Sequence, residues 1–158
     1  MNMIQKLSFD EIRQTEGQTK KHIKQMNSQE ITYLKERIQK INTNTIRTSL
    51  HLKQKLGNEI EGLDLDKDIK DALTNTYEIL EYNYTKNNNI EDKRVLIRSS
   101  IAKSMTFRRD NKTIIGKGNI CIVLSILDNR VITAYYNRAN DGHRTLDMKR
   151  YDKTLKII

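Results

Sequence analysis

The chain has 158 residues, with 29 Lys and Arg against 20 Asp and Glu, a net charge of +9. That length suits one domain with one core. A single cysteine excludes an internal disulfide, three scattered histidines give no zinc-ligand spacing, and no stretch approaches the roughly 20 apolar residues of a membrane span. No signal peptide is visible in MNMIQKLSFDEI, so a cytoplasmic protein with no metal and no cofactor is expected. The charge is uneven. Residues 1–57 hold 11 basic and 5 acidic side chains (+6), residues 58–92 hold 3 and 10 (−7), and residues 93–158 hold 15 and 5 (+10). The basic last third points to a polyanionic partner, most simply nucleic acid.

In chain order, Ser8-Phe9-Asp10-Glu11 has the S-x-x-E form of a capping box and predicts a helix start, weakened by Gly17. Asn27 and Glu30 give a second such signal. Ile31, Leu34, Ile38 and Ile41 then fall on one stripe, the apolar face of an amphipathic helix. After Thr43-Asn44-Thr45 the pattern resumes as SLHLKQKL, closed by Gly57, with His51 and Lys53 able to project away from Leu52 and Leu56. LDLDKDIKDAL predicts a short helix whose early carboxylates suit its dipole.

Beyond Asn75 the composition turns to strand. TYEILEYNYT is rich in aromatic and branched residues, and RVLIRSSI places Arg94 and Arg98 on one face. Arg108 to Lys112 predicts a turn. NICIVLSIL, Asn119 to Leu127, is apolar enough for a central strand with Cys121 and Val123 buried, and Asp128-Asn129 predicts a hairpin into the strand from Val131. That strand runs into a polar segment containing Asn137, Arg138, Asp141, His143, Arg144 and Thr145. His143 offers a proton carrier near neutral pH beside a fixed cation, so this segment is the candidate active site. The same residues also suit a sheet edge with a solvated loop. The tail, MKRYDKTLKII, is expected as a short helix or a docked extension. The expected fold is α+β, with N-terminal helices followed by a four-stranded antiparallel sheet in one domain. Residues 1–47 would be a helical extension and 48–158 the core.

The order of SLHLKQKL, DIKDAL, EILEY, RVLIRS and a final hairpin ending VITAYYN resembles the barnase–EndoU–colicin–RelE superfamily of small ribonucleases. The likeness is to its compact members encoded by phages and mobile elements, and it covers Thr48 to Asp152. It implies metal-independent cleavage of single-stranded RNA by the RNA's own 2′-hydroxyl, with a protein inhibitor or antitoxin as a possible partner. The family's site positions match His51, Arg98, Thr133 and Tyr135, while the loop that carries His143 is longer and richer than such members need. From the residue chemistry, His143 and His51 would be acid and base, with Arg144 and Tyr135 completing the catalytic set. Arg98, Lys53, Thr133, Asn137, Arg138 and Thr145 would contact RNA. Two other classes stay open: a regulator that binds nucleic acid without cutting it, and an interaction protein that inhibits a host enzyme through the acidic segment 58–92.

Overall fold

The structure, a computed structural model, describes residues 18–41, 60–61, 65–74, 76–87, 90–109, 111–138 and 151–158. Among them are seven strands: β1 Gln18–His22, β2 Ile60–Glu61, β3 Tyr77–Asn87, β4 Ile90–Ser99, β5 Lys103–Arg109, β6 Lys112–Ser125 and β7 Arg130–Arg138. Two α-helices accompany them, α1 Ser28–Gln39 and α2 Leu65–Thr74, with a 3-10 turn at Ile23–Gln25. Every strand pairing is antiparallel.

This corrects the expected arrangement of N-terminal helices followed by a four-stranded sheet. The sheet begins at Gln18, ahead of both helices, and α2 lies between strands in mid-chain. The reason is long-range pairing. QTKKH has no apolar stripe to hold a helix, yet its backbone pairs along β3 from Gln18↔Thr85 to His22↔Glu81. β5 also went unforeseen, because its charged residues lie beside the turn and hide its alternation.

α1 forms where its cap predicts. Asn27 Oδ1 accepts from the Glu30 N–H at 2.8 Å, and Glu30 Oε1 accepts from the Asn27 N–H at 3.0 Å. Leu34 and Ile38 of α1 and Leu65, Ile69, Ala72 and Leu73 of α2 are buried with Ile79, Val95, Ile97, Ile122, Leu124 and Ala134 of the sheet. Each of the leucine, isoleucine and valine side chains among them, fully buried, contributes about 1.5–3 kcal/mol, so this layer dominates the stability. A smaller cluster, Leu96, Cys121 and Val123, fills the opposite face together with Leu80, Ile132 and Tyr135. Both Cys121 and Val123 are buried as expected.

The register shows how β6 organises the sheet. Residues 121–125 pair with β4 on one edge and with β7 on the other. Gly118 pairs with both Lys103 of β5 and Arg138 of β7, so β5 continues the β4 edge. Among the described residues, Gly118 and Cys121 to Ser125 of β6 pair on both sides, Asn119 and Ile120 pair with β7, and Lys112 to Lys117 pair with β5 alone; β6 is buried from Gly118 and exposed or half-buried before it. The β5–β6 hairpin therefore forms a ribbon that runs past the described ends of β4 and β7. β2 joins its β5 edge at Thr106 and Phe107.

The C-terminal residues 151–158 are docked, without a helix. The Asp152 N–H donates to Lys20 O at 2.7 Å, Lys21 Nζ donates to Leu155 O at 3.0 Å, and Ile157 enters the main core. Tyr151 donates its hydroxyl to the buried Glu81 carboxylate. His22 stands edge-on to the Tyr151 ring at 5.2 Å, and its Nδ1 accepts from the Lys24 N–H at 3.1 Å. Burial, helped by the Lys24 charge and opposed by Glu81, holds the His22 pKa below its ordinary 6.5.

A pH dependence follows. The unfolded chain takes up the His22 proton first, so the stability from the neutral ring is complete above the ordinary value of 6.5. It is lost as pH falls through 6.5 toward the folded value. Glu30 and Asp152, both held below their ordinary values of 4.5 and 3.8, lose their contributions only in a lower window. Melting temperature should therefore already fall between about pH 7.5 and 5.5, and more gently in His22→Asn. Equal slopes in both proteins would remove His22 as the source.

Candidate nucleic-acid interface

The ribbon is built by simple alternation. β5 and β6 pair from Lys103↔Gly118 to Arg109↔Lys112, which leaves Asp110 and Asn111 as the two-residue connection. Asn111 takes φ 61°, the left-handed conformation that tight hairpin connections require and that Asn tolerates. Residues 103–118 carry five basic side chains and one acidic, a net +4. Lys103, Arg108, Lys112 and Lys117 are exposed.

Register separates the two faces of the ribbon. Ser104 pairs with Lys117, Thr106 with Ile115 and Arg108 with Thr113, so these six share one face. On that face Ile115 is 81% exposed, and Lys117, Arg108, Ser104 and Thr113 are exposed around it. Lys103 belongs to the other face. Its Nζ donates to Asp68 of α2 at 3.2 Å, and Asp68 also accepts from the Tyr136 hydroxyl at 2.7 Å. The acidic helix thus meets the base of the ribbon on the Lys103 face, the face opposite the one with Arg108 and Lys117. The β2 pairing Glu61↔Thr106 adds one acidic position at the edge of this face.

Among the residues predicted for the site, Arg98, Thr133, Tyr135 and Asn137 come together on a single sheet face. Arg98 pairs with Cys121, which pairs with Tyr135; Val123 pairs with Thr133, and Asn119 with Asn137. Alternation therefore places all four side chains on the same side of three adjacent strands. Arg98 is only 6% exposed and donates from Nη2 to Asn119 Oδ1 at 3.2 Å, while Asn119 Nδ2 donates to Ser99 O at 2.8 Å. Thr133 is buried, and Tyr135 and Asn137 are half-buried. This is a polar belt beside the small apolar cluster, and Arg98 is not a surface cation.

His51, Lys53, His143, Arg144 and Thr145 lie outside the described residues, and Arg138 is described only as the end of the β7 backbone, paired with Gly118. The surface cations of the ribbon were missed as a group, although the signal was present. KSMTFRR and KTIIGKG alternate on either side of Asp110-Asn111, a hairpin pattern with a turn dipeptide at its centre. Among the described residues, no group of three or more His, Cys, Asp or Glu is placed to hold a metal ion, and no helix is long and apolar enough to cross a membrane. Comparison with family models, curated proteins and solved structures gives no match to this chain.

Proposed function

We propose that this protein binds nucleic acid through the β5–β6 ribbon, acting in the cytoplasm. One observation carries the reading: of four exposed cations on a 16-residue hairpin, Arg108 and Lys117 lie on the face opposite the one where Lys103 meets Asp68 of the acidic helix. A ribbon of seven residues extends about 23 Å, long enough to span several phosphates. If Arg108 and Lys117 each neutralise one phosphate, each contributes about −0.9 to the slope of log affinity against log salt. Binding then weakens about 12-fold between 50 and 200 mM salt. Fluorescence anisotropy with labelled RNA and DNA across that range is the test. An affinity that stays flat rejects the ribbon as a phosphate-binding surface.

Cleavage of single-stranded RNA is the second reading. It is favoured by the convergence of Arg98, Asn119, Tyr135 and Asn137 on the sheet face at the end of β7, the strand that leads toward His143 and Arg144. In this reading the RNA 2′-hydroxyl attacks the adjacent phosphorus and the 5′-oxygen leaves, with His143 and His51 moving the protons. Such an enzyme would suit a toxin or a phage factor that disables host RNA. Incubating labelled RNA with the protein in excess EDTA separates the readings. Products ending in a 2′,3′-cyclic phosphate, lost about 100-fold in His143→Ala, support cutting. Intact RNA leaves binding alone.

A further inference from the structure

We propose that Ile115 is an apolar wedge by which the ribbon engages the minor groove of duplex DNA and unstacks a base step; this rests on the binding reading above. A lone exposed apolar residue is ordinary on a protein surface, so its setting has to carry the inference. Ile115 has 81% of its surface in water at the centre of a face whose other β5 and β6 members are Arg108, Lys117, Thr106, Thr113 and Ser104, with Glu61 of β2 at the edge beside Thr106. Counting four strand residues from the Thr113 position to Lys117, the two cations stand about 13 Å apart along the ribbon, on opposite sides of Ile115. That separation straddles a minor groove about 6 Å wide and reaches the phosphates on both walls. Hydroxyl groups stand opposite each of the three, Thr113 across from Arg108, Thr106 from Ile115 and Ser104 from Lys117, suited to sugar and phosphate oxygens.

The same observations choose among nucleic acids. Single strands are held mainly by stacking of bases on aromatic rings, and none of the six residues on this face is aromatic. The major groove of duplex RNA is too narrow for a ribbon to enter. β2 makes the ribbon three strands wide at Thr106, so it lies face-on across a groove and does not slot in edge-on. A face-on sheet with branched apolar side chains inserted at a flexible step is how proteins trade base unstacking for a bent duplex.

The experiment uses the full chain and a duplex of about 30 base pairs with a central TA step, dye-labelled at both ends and carrying 2-aminopurine at the step. Wild-type protein should draw the ends together and brighten the 2-aminopurine as the step unstacks. Ile115→Thr keeps a strand-forming residue at an exposed site; circular dichroism checks its fold. It should bind within about 10-fold of wild type while losing both signals, since the phosphate contacts remain. Signals unchanged in Ile115→Thr overturn the wedge and leave the binding reading standing. Tighter binding to a matched single strand or RNA duplex than to the DNA overturns the choice of partner. Absence of binding to every one of these ligands overturns the binding reading, and the wedge falls with it.

Discussion

Replacing Lys21 with methionine is expected to lower stability by about 3 kcal/mol or more. Lys21 Nζ donates to both Glu30 carboxylate oxygens, at 3.0 and 2.8 Å, and to Leu155 O at 3.0 Å. The two side chains are 7% and 9% exposed, so water screens the pair weakly. Burial pushes the Glu30 carboxyl up. The Lys21 ammonium and the N–H groups of Asn27 and Ile157 outweigh it and hold the group below its ordinary value. Methionine matches the lysine stem but leaves Glu30 a buried anion without its counter-ion. The penalty is mostly the cost of that orphaned charge. For a chain of this size it corresponds to a drop of about 10 °C in melting temperature. Lys21→Met combined with Glu30→Gln should recover most of the loss, because the second change removes the charge and keeps an acceptor for the Asn27 N–H. Thermal or urea unfolding of the two single variants and the pair measures the coupling. A Lys21→Met protein within about 1 kcal/mol of wild type would show that this pair does not anchor β1, α1 and the C-terminal residues to one another.

That anchor also explains what local sequence could and could not reveal. α1 is announced by Asn27, Glu30 and the stripe Leu34–Ile38–Ile41, all within one segment, and the structure follows it. The β6–β7 hairpin is equally local: an apolar run, a short polar connection with Asn129 at φ 53°, and a second run. β1 is different. QTKKH forms a strand because β3, some 60 residues later, has an edge to fill and because Lys21 meets Glu30, and neither partner is visible from five polar residues. The face shared by Arg98, Thr133, Tyr135 and Asn137 could be inferred from strand parity, whereas the burial of Arg98 could not. Parity says which side a residue takes; whether that side meets water depends on what the rest of the chain lays over it. The ribbon was hidden for a third reason. The charged stretch from Arg108 to Lys112 reads as a turn, yet Arg108 and Arg109 belong to β5 and Lys112 to β6.

The ribbon gives the largest functional effect expected. Changing Arg108 and Lys117 together to glutamine should weaken nucleic-acid binding about 200-fold at 50 mM salt and about 20-fold at 200 mM. These figures are what losing two phosphate contacts costs when each releases about 0.9 counterion. The slope of log affinity against log salt should fall by about 1.8 in magnitude. Both residues are exposed, so the fold should tolerate the change within about 0.5 kcal/mol each. The control is Lys35 and Lys40 to glutamine, on exposed positions of α1 and its C-terminal end, which removes the same net charge from a different element. If affinity depends on overall charge alone, the two pairs will lose binding equally, and the ribbon has no special part. A deficit confined to Arg108 and Lys117 places the contact on the exposed face of the hairpin. The salt slope then counts the phosphates it holds.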